Sequence, residues 1–259
     1  MSWASQRRFT YGFGTVLFFI ILIGGPLAYH FLTIPATCSD GIQNQGETAI
    51  DKGGPCPLLD SRTLSPYVVL WSRSFHVRDG SYNSVAYIQN PNEKAGIRDV
   101  SYRFGLYDAN NVLIAERTGS TFIMPGTITP IFEGAIDTGN RIVAHTYFEF
   151  TQPLTWERLD DTSSVVTVNN RQVSATDSAP NVSAVAMNTS VRDMRDITFV
   201  TVAFDPAGNA FAASQTTTSD LPGGESQPIV FTWPDPFNVA LGSIDIIARS
   251  APVSPRPQL

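Results

Sequence analysis

Residues Val100–Glu116 read VSYRFGLYDANNVLIAE, and residues Ile197–Ala213 read ITFVTVAFDPAGNAFAA. Offset by 97 positions and without a gap, the two stretches align Tyr102 with Phe199, Leu106 with Ala203, Tyr107 with Phe204, Asp108 with Asp205 and Ile114 with Phe211. Each is an apolar run, a turn (Asp-Ala-Asn-Asn or Asp-Pro-Ala-Gly) and a second run, which is the pattern of a β-hairpin. The correspondence extends outward. Met124-Pro125-Gly126 matches Leu221-Pro222-Gly223, and Ala86–Asn90 matches Ala184–Asn188 after one residue of slippage. A period near 100 residues is the size of one immunoglobulin-like sandwich.

Strands are expected at 66–74, 84–89, 100–107, 112–117, 130–136 and 141–150. Their counterparts are expected at 165–168, 183–187, 197–204, 209–213, 228–232 and 243–248. The stretch 141–150 alternates Ile142, Ala144, Thr146, Phe148 and Phe150 with Val143, His145, Tyr147 and Glu149, a period of two. Asp108 and Asp205 are expected to cap their turns by side-chain hydrogen bonds. The fold class predicted is therefore all-β: two tandem immunoglobulin-like β-sandwich domains, 62–151 and 162–250, behind one N-terminal transmembrane helix. Residues 152–161 are expected to link the domains, with Trp156 at their interface. Residues 251–259, with prolines at 252, 255 and 257, are expected to be a disordered tail.

Composition agrees with a turn-rich β protein: 19 Gly, 18 Pro and 11% aromatic residues, against 15% charged. The net charge of −6 leaves no basic surface for a nucleic-acid partner.

No Asp, Glu, Lys or Arg occurs from Phe9 to Ser39, and residues 11–32 form the apolar centre. As a helix, that stretch rises roughly 33 Å, enough to cross a lipid bilayer. Arg7 and Arg8 precede the span and the next basic residue is Lys52. The positive-inside rule then predicts residues 1–10 in the cytoplasm and 33–259 outside a cell membrane crossed once. A cleaved signal peptide, a lipoprotein signal and a twin-arginine signal all fit less well than an uncleaved signal anchor. The span is long, Pro35-Ala36-Thr37 is a poor cleavage site, Thr37 precedes Cys38, and the spacing around Arg7-Arg8 is off.

The only cysteines, Cys38 and Cys56, bound the segment CSDGIQNQGETAIDKGGPC. Outside the cytoplasm they are free to form a disulfide, whose closure is worth roughly 3 kcal/mol for a loop of this length. Asp40, Asn44, Glu47 and Asp51 lie among glycines at 41, 46, 53 and 54, a supply of oxygens suited to a hard cation such as Ca²⁺, although not with EF-hand spacing. The other reading is a solvated polar spacer. The segment resembles a bacterial extracellular motif, C-x-D-G-x-x-N-x-x-E-x-x-x-D-C-G-G-x-C, and departs from it at Lys52. That resemblance marks a surface protein and implies no metal chemistry.

Phe104-Gly105-Leu106-Tyr107-Asp108 has the form F-x-L-Y-D and resembles the signature of the FxLYD family, a bacterial extracytoplasmic β-sandwich module. The motif residues are Phe104, Leu106, Tyr107 and Asp108; the second stretch keeps only Phe204-Asp205. Anchor, cysteine loop and paired domains together resemble uncharacterised single-pass envelope proteins of bacteria. The resemblance implies location and fold and brings no catalytic residue.

No catalytic constellation emerges from the residues. His30, His76 and His145 lack suitably spaced partners for zinc or a Ser-His-Asp triad. Ile136-Asp137-Thr138-Gly139 resembles an aspartic-peptidase signature, but the near partner Asp177-Ser178-Ala179 lacks the glycine, and such chemistry needs two carboxylates sharing a proton. No resident cofactor is expected beyond the Ca²⁺ reading of the 38–56 loop. The function expected is a membrane-anchored extracytoplasmic binding or scaffold protein, with the lipid bilayer as one partner and an envelope protein or glycan as another. The alternative is an accessory subunit of an envelope complex or enzyme.

Overall fold

The computed structural model describes residues 3–33 and 38–254. One helix, α1 (Trp3–Thr33), is followed by thirteen strands among the described residues. These are β1 (Val68–Arg78), β2 (Ser81–Gln89), β3 (Ala95–Tyr107), β4 (Leu113–Ile123), β5 (Ile128–Asp137), β6 (His145–Phe150), β7 (Glu157–Arg158), β8 (Val166–Ser174), β9 (Asn181–Asn188), β10 (Met194–Phe204), β11 (Ala210–Leu221), β12 (Ser226–Thr232) and β13 (Ser243–Arg249). The chain is thus mostly β-sheet, and every ladder is antiparallel.

Residues 1–55 form one unit. Within it, Arg8–Tyr29 is long and apolar enough to cross a membrane. Its side chains are exposed throughout, including Phe18, Ile20 and Ile21, so they find no protein core among the described residues. A helix satisfies its backbone polar groups internally, which a spanning segment in hydrocarbon must do. Pro26 lies inside the helix without ending it.

Residues 56–259 form the second unit. Its sheets have the orders β1-β2-β5, β4-β3-β6 (with β7 also on β3), β12-β9-β8 and β11-β10-β13. The strands before residue 160 and those after it therefore share one wiring. The registers also correspond: Phe104 pairs with Arg117 and Phe148, and Thr201 with Ser214 and Ile246. Sheets β1-β2-β5 and β4-β3-β6 enclose a core that includes Ile88, Ile97, Phe104, Leu106 and Ile131. The second pair encloses Val182, Phe199, Leu221, Ile229 and Phe231. A third cluster joins β1-β2-β5 to β11-β10-β13 through Phe75, Val85 and Tyr87 against Val200, Val202 and Ala213, with Trp71, Phe132 and Ile247 packed on it. Four sheets are thus held together by three apolar layers.

The third layer explains two runs without alternation. Ser84–Ile88 on β2 and Phe199–Ala203 on β10 are buried at every position. Each strand is the middle of an inner sheet, covered on both faces, so successive side chains all leave water. Burial of each large apolar side chain contributes about 1.5–3 kcal/mol. In and beside this layer, the Tyr87 hydroxyl and Arg249 Nε are buried without a hydrogen-bond partner among the described residues. Arg249 donates to Thr121 Oγ1 (2.7 Å) and sits 4.7 Å from the Phe122 ring centre. Burial pulls its guanidinium down to about 10.

The two hairpin turns are built alike. Asp108 Oδ1 accepts from the amides of Asn110 and Val112 (both 2.9 Å), and Asp205 Oδ1 from those of Ala207 (2.9 Å) and Asn209 (2.7 Å). Left-handed backbone falls at Asn111 (φ 59°) and Gly208 (φ 83°), at the same step of each turn. Buried Asn90 and Asn188 form a second matching pair. Asn90 Nδ2 donates to the carbonyls of Ala95 and Met124; Asn188 Nδ2 donates to those of Arg192 and Leu221.

Some expectations shift. Trp156 packs in the first core and not between the strand groups, because β7 adds to β3 and carries it inward. Residues 141–144 are not strand: Arg141 is held by Asp108 (2.6 Å) and the Ala144 amide by Tyr107 O (2.8 Å). Of the tail, Val253 bridges Asp160 through both backbone groups, so residues 251–254 are fixed. Residues 255–259 lie outside the described residues.

Candidate functional site

Cys38 and Cys56 form a disulfide. Inside the loop the candidate ligands contact one another and the backbone. Asp40 Oδ1 accepts from the Ile42 amide (2.9 Å) and Asp40 Oδ2 from Asn44 Nδ2 (3.0 Å). Asp51 accepts from the Gly41 amide (3.1 Å to Oδ2). Glu47, buried, accepts from the amides of Asn44 (3.3 Å) and Asp51 (3.2 Å) through Oε2. Three carboxylates are therefore spent on backbone donors. Asn44 Oδ1 is a buried acceptor without a donor among the described residues.

The F-x-L-Y-D residues divide by face. Phe104 and Leu106 are fully buried in the first core, Tyr107 lies edge-on to Tyr147 (5.2 Å), and Asp108 caps the turn. The Val112 amide, then Arg141, holds the Asp108 carboxyl below the usual carboxylate range; the Asn209 amide and side chain do the same for Asp205. These four residues build a strand end. Asp137 ends β5 in an exposed turn and accepts from the Gly139 amide (2.8 Å). Asp177 lies in the other strand group, between β8 and β9, and contacts the Thr176 hydroxyl (3.4 Å).

Several concavities open on the β unit, three of which are described by their linings. A groove of about 470 Å³ runs between Ser72–Ser74 of β1 and Val143–Tyr147 beside β6. It is laced across by Ser72 Oγ to Thr146 O (3.0 Å) and Thr146 Oγ1 to Ser74 Oγ (2.8 Å). A groove of about 820 Å³ beside Val191 carries Asp160, Asp161 and Asp193. Those carboxylates are engaged by Lys94, by Ser163 and by the Gly223 amide. The third, about 270 Å³, lies where the strand groups meet, lined by His76 from β1, Phe211 from β11 and the segment Trp233–Val239 after β12. Sequence reasoning missed this cleft. Its signal was Trp233-Pro234-Asp235-Pro236-Phe237, two aromatics and a carboxylate fixed by prolines; His76 was noted there only for lacking a partner.

No family model matches the chain, and no curated protein sequence matches it. Among solved structures, the chain is similar to red sea bream transglutaminase, with TM-score 0.24 and 8% identity over 70% of this chain and 29% of that one. It is also similar to a β-glucuronidase of Bacteroides uniformis, with TM-score 0.19 and 14% identity over 60% and 22% of the two chains. Bacteroides uniformis β-glucuronidase 2, covalently bound to cyclophellitol-6-carboxylate aziridine, gives TM-score 0.18 and 13% identity over the same shares. The chain thus spans less than a third of the length of each.

Proposed function

We propose that this chain is a single-pass, membrane-anchored protein, with its N-terminus in the cytoplasm and residues 33–259 outside, whose β unit is a binding or scaffold module of the cell envelope. The observation that carries this reading is the helix Arg8–Tyr29, apolar and fully exposed, with Arg7 and Arg8 before its apolar centre and no further basic residue until Lys52. The Cys38–Cys56 disulfide supports the outer side, since such bonds persist in oxidising compartments. The shared wiring of the strand groups supports two tandem immunoglobulin-like sandwiches derived by duplication. Core placement of Phe104 and Leu106 suits an FxLYD-type module. The partner is an envelope protein or glycan.

Protease added to intact cells with a permeabilised outer layer tests this topology. Digestion of residues 60–259 without lysis is expected; protection until the membrane is dissolved would contradict it. For the loop, the donorless Asn44 Oδ1 supports a Ca²⁺ ligand set of Asp40, Asn44, Glu47 and Asp51. Calorimetry should then show binding at roughly 10⁻⁴–10⁻³ M that is lost in Asp40→Ala with Asp51→Ala. No heat at those concentrations leaves the loop a spacer.

A further inference from the structure

We propose that the cleft where the two strand groups meet binds one neutral sugar ring, either the terminal residue of a glycan or a free monosaccharide. This rests on the binding-module reading and supplies its ligand class. The walls are preorganised. The Trp233 amide donates to Pro180 O and the Phe237 amide to Thr176 O (both 2.9 Å), pinning the segment at both ends. The Phe237 ring meets Phe211 and Trp233 edge to face at 5.1 and 5.2 Å. A site fixed before binding loses little freedom when a ligand arrives.

The polar groups select the chemistry. Trp233 is 7% exposed, and its indole N–H has no acceptor among the described residues. That nitrogen is closed to solvent and belongs to the second core, so the groups that read a ligand are the exposed ones. The cleft is lined by exposed Asp235, which accepts, and by exposed Asn238 and His76, which can both donate and accept. No Lys or Arg lines the cleft, so a phosphate or carboxylate would meet Asp235 without a counter-charge. A cation would leave the donors of Asn238 and His76 unmatched, and an aliphatic ligand would bury Asp235 and Asn238 unpaired. Hydroxyl groups donate and accept at once, and the C–H faces of a sugar ring pack on aromatic and proline surfaces such as Phe211, Phe237 and Pro236. At about 270 Å³ the cleft is just below the usual size of ligand sites, roughly 300–1,000 Å³, which suits one ring and not a buried chain.

The test uses the full chain in lipid nanodiscs, titrated with D-glucose, D-galactose, D-mannose and N-acetyl-D-glucosamine by saturation-transfer NMR and calorimetry. At least one sugar should bind saturably with Kd on the order of 1 mM. Asn238→Ala removes an amide that both donates and accepts, and should weaken binding roughly 5–10-fold; Asp235→Ala should weaken it about 10-fold, both with unchanged melting temperature because both side chains are exposed. A tetrasaccharide ending in the preferred sugar distinguishes the sources: tighter binding assigns the cleft to glycan ends, equal binding to free monosaccharide. No saturable binding to any of the four, or equal affinity in both variants, would overturn the proposal. Protease topology is measured separately, so a chain that faces outward and binds no sugar refutes this ligand and leaves the binding-module reading standing.

Discussion

At the middle of its outer face, sheet β4-β3-β6 carries Arg103, flanked in register by Thr118 and Glu149; at the same place, sheet β11-β10-β13 carries Val200, flanked by Gln215 and Ile247. Two residues along, Gly105 lies between Glu116 and Tyr147, and Val202 between Ala213 and Asp245. Arg103 bridges Glu116 (3.2 Å) and Glu149, and all three stay in water. Val200, Val202 and Ala213 are buried against the first strand group. The partner face shows the reverse divergence. Trp71, Tyr87 and Phe132 pack in the junction, while Asn169, Val185 and Val230 hold the same register on β8, β9 and β12 and face solvent. One wiring thus has two possible packing faces, and each strand group uses a different one. Had both groups kept both faces apolar, each free face would match a face buried in the junction, and chains could stack without end. Charge on one free face and loss of aromatics on the other end the stack at two.

Exchanging residues between faces tests this directly. Val200→Arg places an uncompensated charge in the junction and should cost at least about 4 kcal/mol, read as a drop in denaturation midpoint or a split into two transitions. Tyr87→Phe removes the buried hydroxyl that lacks a partner among the described residues, and should stabilise by about 1 kcal/mol. The hairpins should respond equally to acid. Asp108 and Asp205 both have depressed folded-state values, so their contribution is present above the unfolded carboxylate range and lost as pH falls through the lower folded values. Asp108→Asn and Asp205→Asn should each flatten part of that acid slope. Arg103→Val, the converse exchange on the exposed face, should leave the midpoint unchanged.

Much of this was legible in the sequence. The 97-residue offset between Asp108 and Asp205 reflects two turns with the same amide partners, and an Asp before a short turn leaves a local signal. The long apolar helix was legible because an uncharged run needs no tertiary context. Strand lengths were harder: β4 runs to Ile123 and β11 to Leu221, through Thr- and Ser-rich stretches whose apolar content is low. The junction was invisible because its two sides, Trp71 to Phe132 and Val200 to Ile247, lie far apart in sequence, and either alone looks like ordinary core. Trp156 misled for a related reason: it sits in a segment that resembles a linker but adds β7 to the first group. The cleft draws His76 and Phe237 from opposite sides of that junction, and no local spacing announces it. Asn188-Thr189-Ser190 has the form of a glycosylation sequon, yet Asn188 is fully buried with its amide nitrogen committed to two carbonyls.

Residue-level hydrogen exchange on the full chain in nanodiscs tests most directly whether the strand groups are joined through their unlike faces. The amides of β2 and β10, each covered on both sides, should be the slowest in the protein, should exchange at a common rate set by global unfolding, and should lose protection together in Val200→Arg. If β2 and β10 exchange at separate rates, with one strand group opening while the other stays protected, the junction is not holding them as one body and the account is contradicted.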